Sequence, residues 1–283
     1  MAGRATPAAI ARTRVFCDPD RATSRQEKPL GTDIHGKYSR KAPRKSQRET
    51  GVWRLMARPA FYRWYQQCLG ESKVQSMFVT EHVRPQPGDR VLDIGCGTGD
   101  ILEHLTDVDY VGFDPSSRYI EVARRRFGDR GRFFVAGVED VSASDFEGVD
   151  LVIAFGVVHH LCDDVARRFF AVASEIVSEH GRCVTLDPYF EEQQPRIGRF
   201  LIEHDRGRHV RTIEAFLELA SSAFDYAETT LHPGLLRLPF DHTHRIVELA
   251  NVPIESPGPR PNSSPQPVTV DLTAGSEFGD QQR

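Results

Sequence analysis

One stretch decides most of what this chain can become. Asp89-Arg90-Val91-Leu92-Asp93-Ile94 is a short apolar run with an acid near its end, and Gly95-Cys96-Gly97-Thr98-Gly99-Asp100 breaks it with glycines at alternate positions. Ile101, Leu102 and Leu105 then return at helical spacing, so the string reads as strand, tight turn and helix. Glycine is needed where the backbone turns through positive φ or where a ligand lies against the main chain, because a Cβ would fill that space. The turn is a cradle for a small molecule.

The spacing separates two ligand classes. A dinucleotide fingerprint runs Gly-x-Gly-x-x-Gly and seats a pyrophosphate on a helix, whereas this turn runs Gly95-x-Gly97-x-Gly99 with Asp93 just before it. A carboxylate at the strand end repels a pyrophosphate and suits a cationic amine. Val-Leu-Asp-Ile-Gly-Cys-Gly-Thr-Gly-Asp (91–100) resembles the first motif of the class I S-adenosylmethionine-dependent methyltransferases. The resemblance implies a Rossmann-like α/β fold: a seven-stranded, mostly parallel sheet with helices on both faces and a C-terminal antiparallel hairpin. It implies S-adenosyl-L-methionine as cofactor, with Asp93, Gly95 and Gly97 around the methionine moiety and Cys96 and Gly99 in the same turn.

Tyr110-Val111-Gly112-Phe113-Asp114 is a second strand ending in an acid, and Pro115-Ser116-Ser117 opens a helix through Tyr119, Val122 and Ala123. A carboxylate at that tip can accept from both ribose hydroxyls, so Asp114, with Pro115 beside it, is the ribose candidate; Ser116 serves as the cap. Arg132 to Ala136 is a third strand, followed by Gly137-Val138-Glu139-Asp140. The resemblance implies that an acidic side chain here accepts from the adenine amine, and either Glu139 or Asp140 fits. Asp150 to Phe155 is continuously apolar after its first residue, as expected of a strand covered on both faces. Phe155 and Gly156 would flank the cofactor.

Ligands of open α/β sheets bind beyond the carboxyl ends of the strands, which puts Gly156-Val157-Val158-His159-His160-Leu161 at the reaction centre. A histidine there can take a proton from a hydroxyl near neutral pH. The string also resembles one in small-molecule members of the family, where the histidine pair scaffolds or orients the acceptor. His159, His160 and Asp187, at the tip of the fifth strand (181–187), are the catalytic candidates, with Tyr189 on the acceptor side. Asp187-Pro188-Tyr189-Phe190 superficially resembles the Asp/Asn-Pro-Pro-aromatic motif of enzymes that methylate exocyclic amines of nucleic-acid bases, but it follows the fifth strand rather than the fourth and lacks the second proline, which disfavours base N-methylation.

Asp163-Asp164 is expected to cap a helix over 165–179, and Thr212 another. Between them, 193–211 is an insertion in which an Asp-Arg-Gly turn throws Arg208, His209 and Arg211 outward; with Arg206 they either bind an acidic group of the acceptor or form a solvated turn. Residues 225–232 and 240–249 read as the closing hairpin. His242 and His244 share a face there, but no third ligand is in sight and no metal site is expected.

Three segments follow from composition. Residues 1–50 hold 12 Lys or Arg against five Asp or Glu and few large apolar residues, too little to offset ordering entropy, and read as a disordered basic tail or a transit peptide. The resemblance implies a methyltransferase domain over 53–251; its first part, with Phe61, Tyr62, Trp64 and Tyr65, is expected to form two helices broken near Gly70 that pack on the sheet or cover the pocket. From 252 to 283, six prolines among Ser, Gly and Asn read as a second disordered tail.

The net charge of -4 argues against a nucleic-acid partner. Five scattered cysteines without a Cys-x-x-Cys pair give neither a disulfide framework nor a zinc site. With no apolar run near ~18 residues and no secretory leader, the expectation is no membrane contact and a cytoplasmic location. The expected reaction is methyl transfer to a small-molecule acceptor by in-line displacement. A protein or RNA acceptor, or a catalytically silent cofactor-binding scaffold, is the alternative.

Overall fold

The strands supply the frame: β1 (Arg90–Ile94), β2 (Asp109–Asp114), β3 (Arg132–Val135), β4 (Val149–Phe155), β5 (Val177–Pro188), β6 (Tyr226–His232), β7 (His244–Ala250) and β8 (Val268–Asp271). In the computed structural model the described residues are 30, 35–38, 71–146, 148–189, 209–233, 235, 243–254, 265 and 267–273. The sheet order is β3-β2-β1-β4-β5-β7-β6-β8. β1 to β5 run parallel, and β7 lies antiparallel to β5 and to β6. The order reverses between β1 and β4, so the chain has a topological switch point at the carboxyl ends of those strands.

The α/β architecture with its closing hairpin is as the sequence implies, but the sheet has eight strands, not seven. The eighth comes from the stretch read as a Pro/Ser-rich tail: Val268–Asp271 pairs antiparallel with β6, and Leu272 behind it is buried. Near the other terminus, the one-turn helix α1 (His35–Tyr38) lies within the segment read as a basic tail, and Tyr38 packs edge-on against Phe113 with ring centroids 5.1 Å apart. The aromatic cluster at 61–65 lies outside the described residues.

Both faces of the sheet are covered, which explains why β4 is apolar at consecutive positions. One face carries Leu92, Val152 and Val247 under α4 (Asp163–Ile176) and α5 (Ile213–Ala220). α4 presents Ala166, Phe169, Phe170, Ala173 and Ile176, a helical stripe, to that face. Cys162 occupies its N-cap position without a side-chain bond, and Asp163 and Asp164 stand in the first turn, where the helix dipole favours acids. The expected cap by this acidic pair is therefore displaced by one residue. Thr212 caps α5 as expected, its hydroxyl accepting from the Ala215 N–H at 3.3 Å.

The opposite face carries Val91, Leu151 and Val184 under α3 (Ser117–Phe127) and the helix α2 (Glu71–Met77) with its π-helical continuation, Phe78–Val83. Ser116 caps α3 through the Tyr119 N–H at 3.4 Å, a device that contributes about 1 kcal/mol. The π-helical segment is pinned by buried charge. His82 Nδ1 donates to Glu248 of β7 at 3.1 Å, and His82 Nε2 lies 3.0 Å from His232 Nε2 of β6. Arg84 and Arg182 bind the same carboxylate at 2.5 and 2.7 Å.

Candidate active site

The glycine turn leaves β1 at the switch point, and its glycines serve different ends. Gly95 has φ +84 and a Cβ there would lie 2.5 Å from Val157, so the turn after β1 and the loop after β4 touch only because the side chain is absent. Gly97 has φ +56 with nothing among the described residues within 4 Å of its Cβ position, which is open room beside the backbone. Gly99 faces inward instead, against Phe127 and Phe133. The Gly95 and Cys96 N–H groups donate to the Phe113 carbonyl at 2.7 and 2.8 Å, lashing the turn to β2. The Cys96 thiol is buried over Gly112, where a Cβ would come within 2.8 Å of its sulfur, and burial pushes the thiol pKa up.

Two carboxyl groups converge behind this turn. Asp93 is 2% exposed and accepts from the Tyr110 hydroxyl at 2.6 Å. Burial pushes its pKa up, Tyr110 pulls it partway back, and the charge of Asp114 raises it again, to about 7. Asp114 accepts from the Gly97 N–H at 3.1 Å and the Ser116 N–H at 2.7 Å. Burial outweighs these two bonds and lifts it to about 6. Among the described residues no Lys or Arg opposes the burial of either acid, and both are displaced toward the neutral form. Among the described residues, the two acids lack a positive charge. Tyr110 is a site residue that the sequence reading passed over as a strand apolar; its place opposite Val91 in the parallel register is the only signal of it.

The two candidates for the adenine side divide the turn after β3 between them. Asp140 Oδ2 accepts from the Gly137 N–H at 3.0 Å and so shapes the loop, while Glu139 is exposed. The Tyr38 hydroxyl donates to the Asp140 carbonyl at 3.1 Å, attaching α1 to the same loop. Pro115 is half-buried next to Asp114. Across the switch point Phe155 and Gly156 are also half-buried; Phe155 meets Phe78 edge-on with centroids 5.4 Å apart, and Gly156 turns at φ +67 while its N–H donates to the Leu186 carbonyl at 2.7 Å.

β4 and β5 bring two of the catalytic candidates together. Asp187 Oδ1 accepts from the His159 backbone N–H at 3.0 Å and sits 2.8 Å from His159 Nδ1. A carboxylate only accepts, so the Nδ1 proton points at Asp187. His159 is buried, its carbonyl taken by the His209 N–H at 3.0 Å. His160 is exposed, with its ring centroid 4.0 Å from that of His159. Tyr189 is half-buried beyond the strand end.

Arg211 does something other than either role expected of it. It is buried, not thrown outward: its guanidinium donates to the carbonyls of Val158 (3.0 Å), Leu161 (2.6 Å) and His209 (3.1 Å) and to Asp163 (2.7 Å). It clamps the loop that carries His159 and His160. Arg206 and Arg208 lie outside the described residues, as does His242; His244 is buried in β7. Among the described residues no group of three or more His, Cys, Asp or Glu could hold a metal ion, and no helix is long and apolar enough to cross a membrane.

Residues 92–183 match the family described as "Methyltransferase domain". The ubiquinone biosynthesis O-methyltransferase of Azorhizobium caulinodans is 36% identical over 103 residues, 35% of this chain and 40% of that protein. The probable tRNA methyltransferase 9B of Homo sapiens is 37% identical over 75 residues, 26% of this chain and 16% of that one. The chain thus spans less than half the length of these relatives. Among solved structures, geranyl diphosphate C-methyltransferase from Streptomyces coelicolor, in complex with Mg2+, geranyl-S-thiolodiphosphate and S-adenosyl-L-homocysteine, superposes with a TM-score of 0.51 at 15% identity, over 64% of this chain and 76% of that one. A TehB-like SAM-dependent methyltransferase from Corynebacterium glutamicum gives 0.50 at 17% identity, over 69% and 98%. At such identities the superpositions speak for the fold.

Proposed function

We propose that this chain, which belongs to the class I S-adenosylmethionine-dependent methyltransferases, transfers the cofactor's methyl group to a hydroxyl of a small-molecule acceptor. The observation that carries the reading is the pair of buried carboxyl groups, Asp93 and Asp114, raised toward neutrality beside the open backbone at Gly97. A ligand bearing an ammonium and a sulfonium supplies the positive charge they lack. The residues fit it: Asp93 and the Gly95–Gly97 backbone for the methionine moiety, Asp114 for the ribose hydroxyls, and Glu139 or Asp140 for the adenine amine.

S-adenosylmethionine, when bound, supplies a methyl group already activated on sulfur. The chain aligns the acceptor, excludes water and takes up the acceptor's proton. His159 is placed for the last task. Its Nδ1–H is held by Asp187, so Nε2 would be the nitrogen to take the proton of an acceptor hydroxyl. The Arg211 clamp fixes the loop from behind. His160, exposed alongside, orients the acceptor.

The relatives include enzymes named for a quinone pathway and for tRNA, so the acceptor class turns on the surface. α3 and its neighbours are rich in arginine, but four of these side chains are bonded within the domain. Arg124 binds the Phe133 carbonyl (2.5 Å), Arg126 binds Asp100 (2.6 Å), Arg130 binds the carbonyls of Leu102 and Leu105 (both 3.0 Å), and Arg132 binds Asp109. A nucleic-acid acceptor needs such cations aimed at phosphates. Calorimetry with S-adenosylmethionine, followed by a methyl-transfer screen pitting phenols and hydroxylated metabolites against bulk tRNA, tests the reading. Tight cofactor binding with turnover of a hydroxyl compound is expected. Turnover of tRNA alone would overturn the acceptor assignment, and binding without any turnover would favour the scaffold.

A further inference from the structure

The side chain of Asp187 has a second oxygen that the site has not yet used. Oδ1 holds His159 through two hydrogen bonds, whereas Oδ2 is buried and has no hydrogen-bond partner among the described residues. A buried carboxylate oxygen with nothing to accept is costly unless positive charge stands nearby. The residue directly across the antiparallel β5–β7 pair is Arg245. Its guanidinium is 2% exposed, lies 3.9 Å over the Phe216 ring, and donates through one terminal nitrogen to the carbonyls of Arg211 (3.3 Å) and Thr212 (3.1 Å). Its Nε, like Asp187 Oδ2, is buried without a partner among the described residues.

We propose that Arg245 is a positioning residue for the proton acceptor: its buried charge, set across the strand pair from Asp187, fixes that side chain where it holds the Nδ1–H tautomer of His159. Directly opposed residues of a strand pair have Cβ atoms within roughly 5.5 Å, close enough for full charges in a water-free interior to govern each other. Burial lowers the Arg245 pKa to about 10, and the facing Asp187 is the strongest influence raising it again. The same guanidinium grips the chain at Arg211 and Thr212, so one cation links the Arg211 clamp, the cap of α5 and the acid behind His159.

This inference rests on the reading of His159 as proton acceptor, and its test keeps the two apart. Protein carrying 15N-labelled histidine, with the His159 signals assigned by His159→Gln, reports the tautomer through long-range proton–nitrogen spectra and needs no acceptor. Wild-type protein at neutral pH is expected to show a protonated Nδ1 and a lone pair on Nε2. Asp187→Asn should abolish that pattern; if it does not, the Asp187–His159 reading itself falls. Arg245→Met should lose the Nδ1–H tautomer, while Arg245→Lys, which keeps the charge but cannot make the guanidinium's contacts, should retain it. Circular dichroism and S-adenosylhomocysteine affinity serve as controls for fold and cofactor pocket. An unchanged tautomer in a folded Arg245→Met protein, or equal loss in both variants, overturns the proposal, because the charge is then not what matters.

Discussion

Two parts of this molecule bury carboxyl groups to nearly the same extent and treat them in opposite ways. Glu248, 1% exposed on β7, is pushed up by burial, but hydrogen bonds from His82 and Arg84 and the charges of Arg84 and Arg182 overcome this and hold it at about 2. Asp93 and Asp114, at the tips of β1 and β2, receive among the described residues only a phenol hydroxyl and backbone N–H groups and drift up to about 7 and about 6. Buried acids are normally paired. Where the partner is built in, the acid is part of the frame; where it is withheld, the acid waits for a cation from outside.

The largest effect should come from the frame. Glu248→Gln leaves Arg84, Arg182 and His82 facing a neutral amide, and breaking a buried ion pair from one side costs about 3–5 kcal/mol. Denaturant unfolding measures it, and a loss under about 1 kcal/mol would show the cluster to be water-compensated. The sign with pH follows from a depressed folded pKa. The Glu248 contribution is fully present above the ordinary carboxylate range and is lost as pH falls toward about 2.

Asp93 should give the opposite pH trend. Its folded pKa, about 7, lies above the unfolded value of about 4, so its contribution is present below about 4 and is lost as pH rises through about 7. Each bound proton changes the unfolding free energy by at most about 1.4 kcal/mol per pH unit. The cofactor-free protein should therefore weaken across pH 5 to 7, and Asp93→Asn, which keeps an oxygen for the Tyr110 hydroxyl, should flatten the slope. Adding S-adenosylmethionine near pH 6.5 should release protons, seen as a buffer-dependent binding heat. Equal heats in buffers of different ionisation enthalpy would sink the idea that the site lacks only positive charge.

Smaller again is Asp114→Ala, which should weaken cofactor binding by about 1–3 kcal/mol through loss of charge-assisted hydrogen bonds. Calorimetry and unfolding must disagree here: affinity falls while stability at neutral pH stays level or rises, since a buried acid with no ion pair among the described residues has gone. A parallel fall in both would place Asp114 with Glu248 in the frame.

The contrast also explains what could be read from the chain beforehand. Asp93, the glycines and Asp114 are legible because their geometry is local: a strand, a turn and the next strand's tip lie within 25 residues of sequence. His159 and Asp187 are each legible as strand-end residues. That they form a pair depends on the β4–β5 register, which sets Phe155 opposite Leu186. Arg211 misleads because an arginine-rich turn signals solvent, and only tertiary packing brings three carbonyls to it. Arg245 and Glu248 give no signal at all, since their meaning lies across a strand pair. β8 is hidden by the prolines before it, and its four residues offer too short an alternation to stand out.

The smallest effect sharpens the comparison from the solvent side. Arg125 and Glu121 form an exposed i,i+4 pair on α3 at 3.9 Å, each more than two-thirds exposed. Water already compensates both charges, so Arg125→Ala should change stability by less than about 0.5 kcal/mol and leave cofactor affinity untouched. The variant also bears on the acceptor, because Arg125 is one of the α3 cations not committed to the interior. Under the small-molecule reading its loss is silent in every assay. A drop in affinity for tRNA that shrinks as salt rises would mean that this face meets phosphates. In that case the arginines bound within the domain would be a poor guide to what the surface is for.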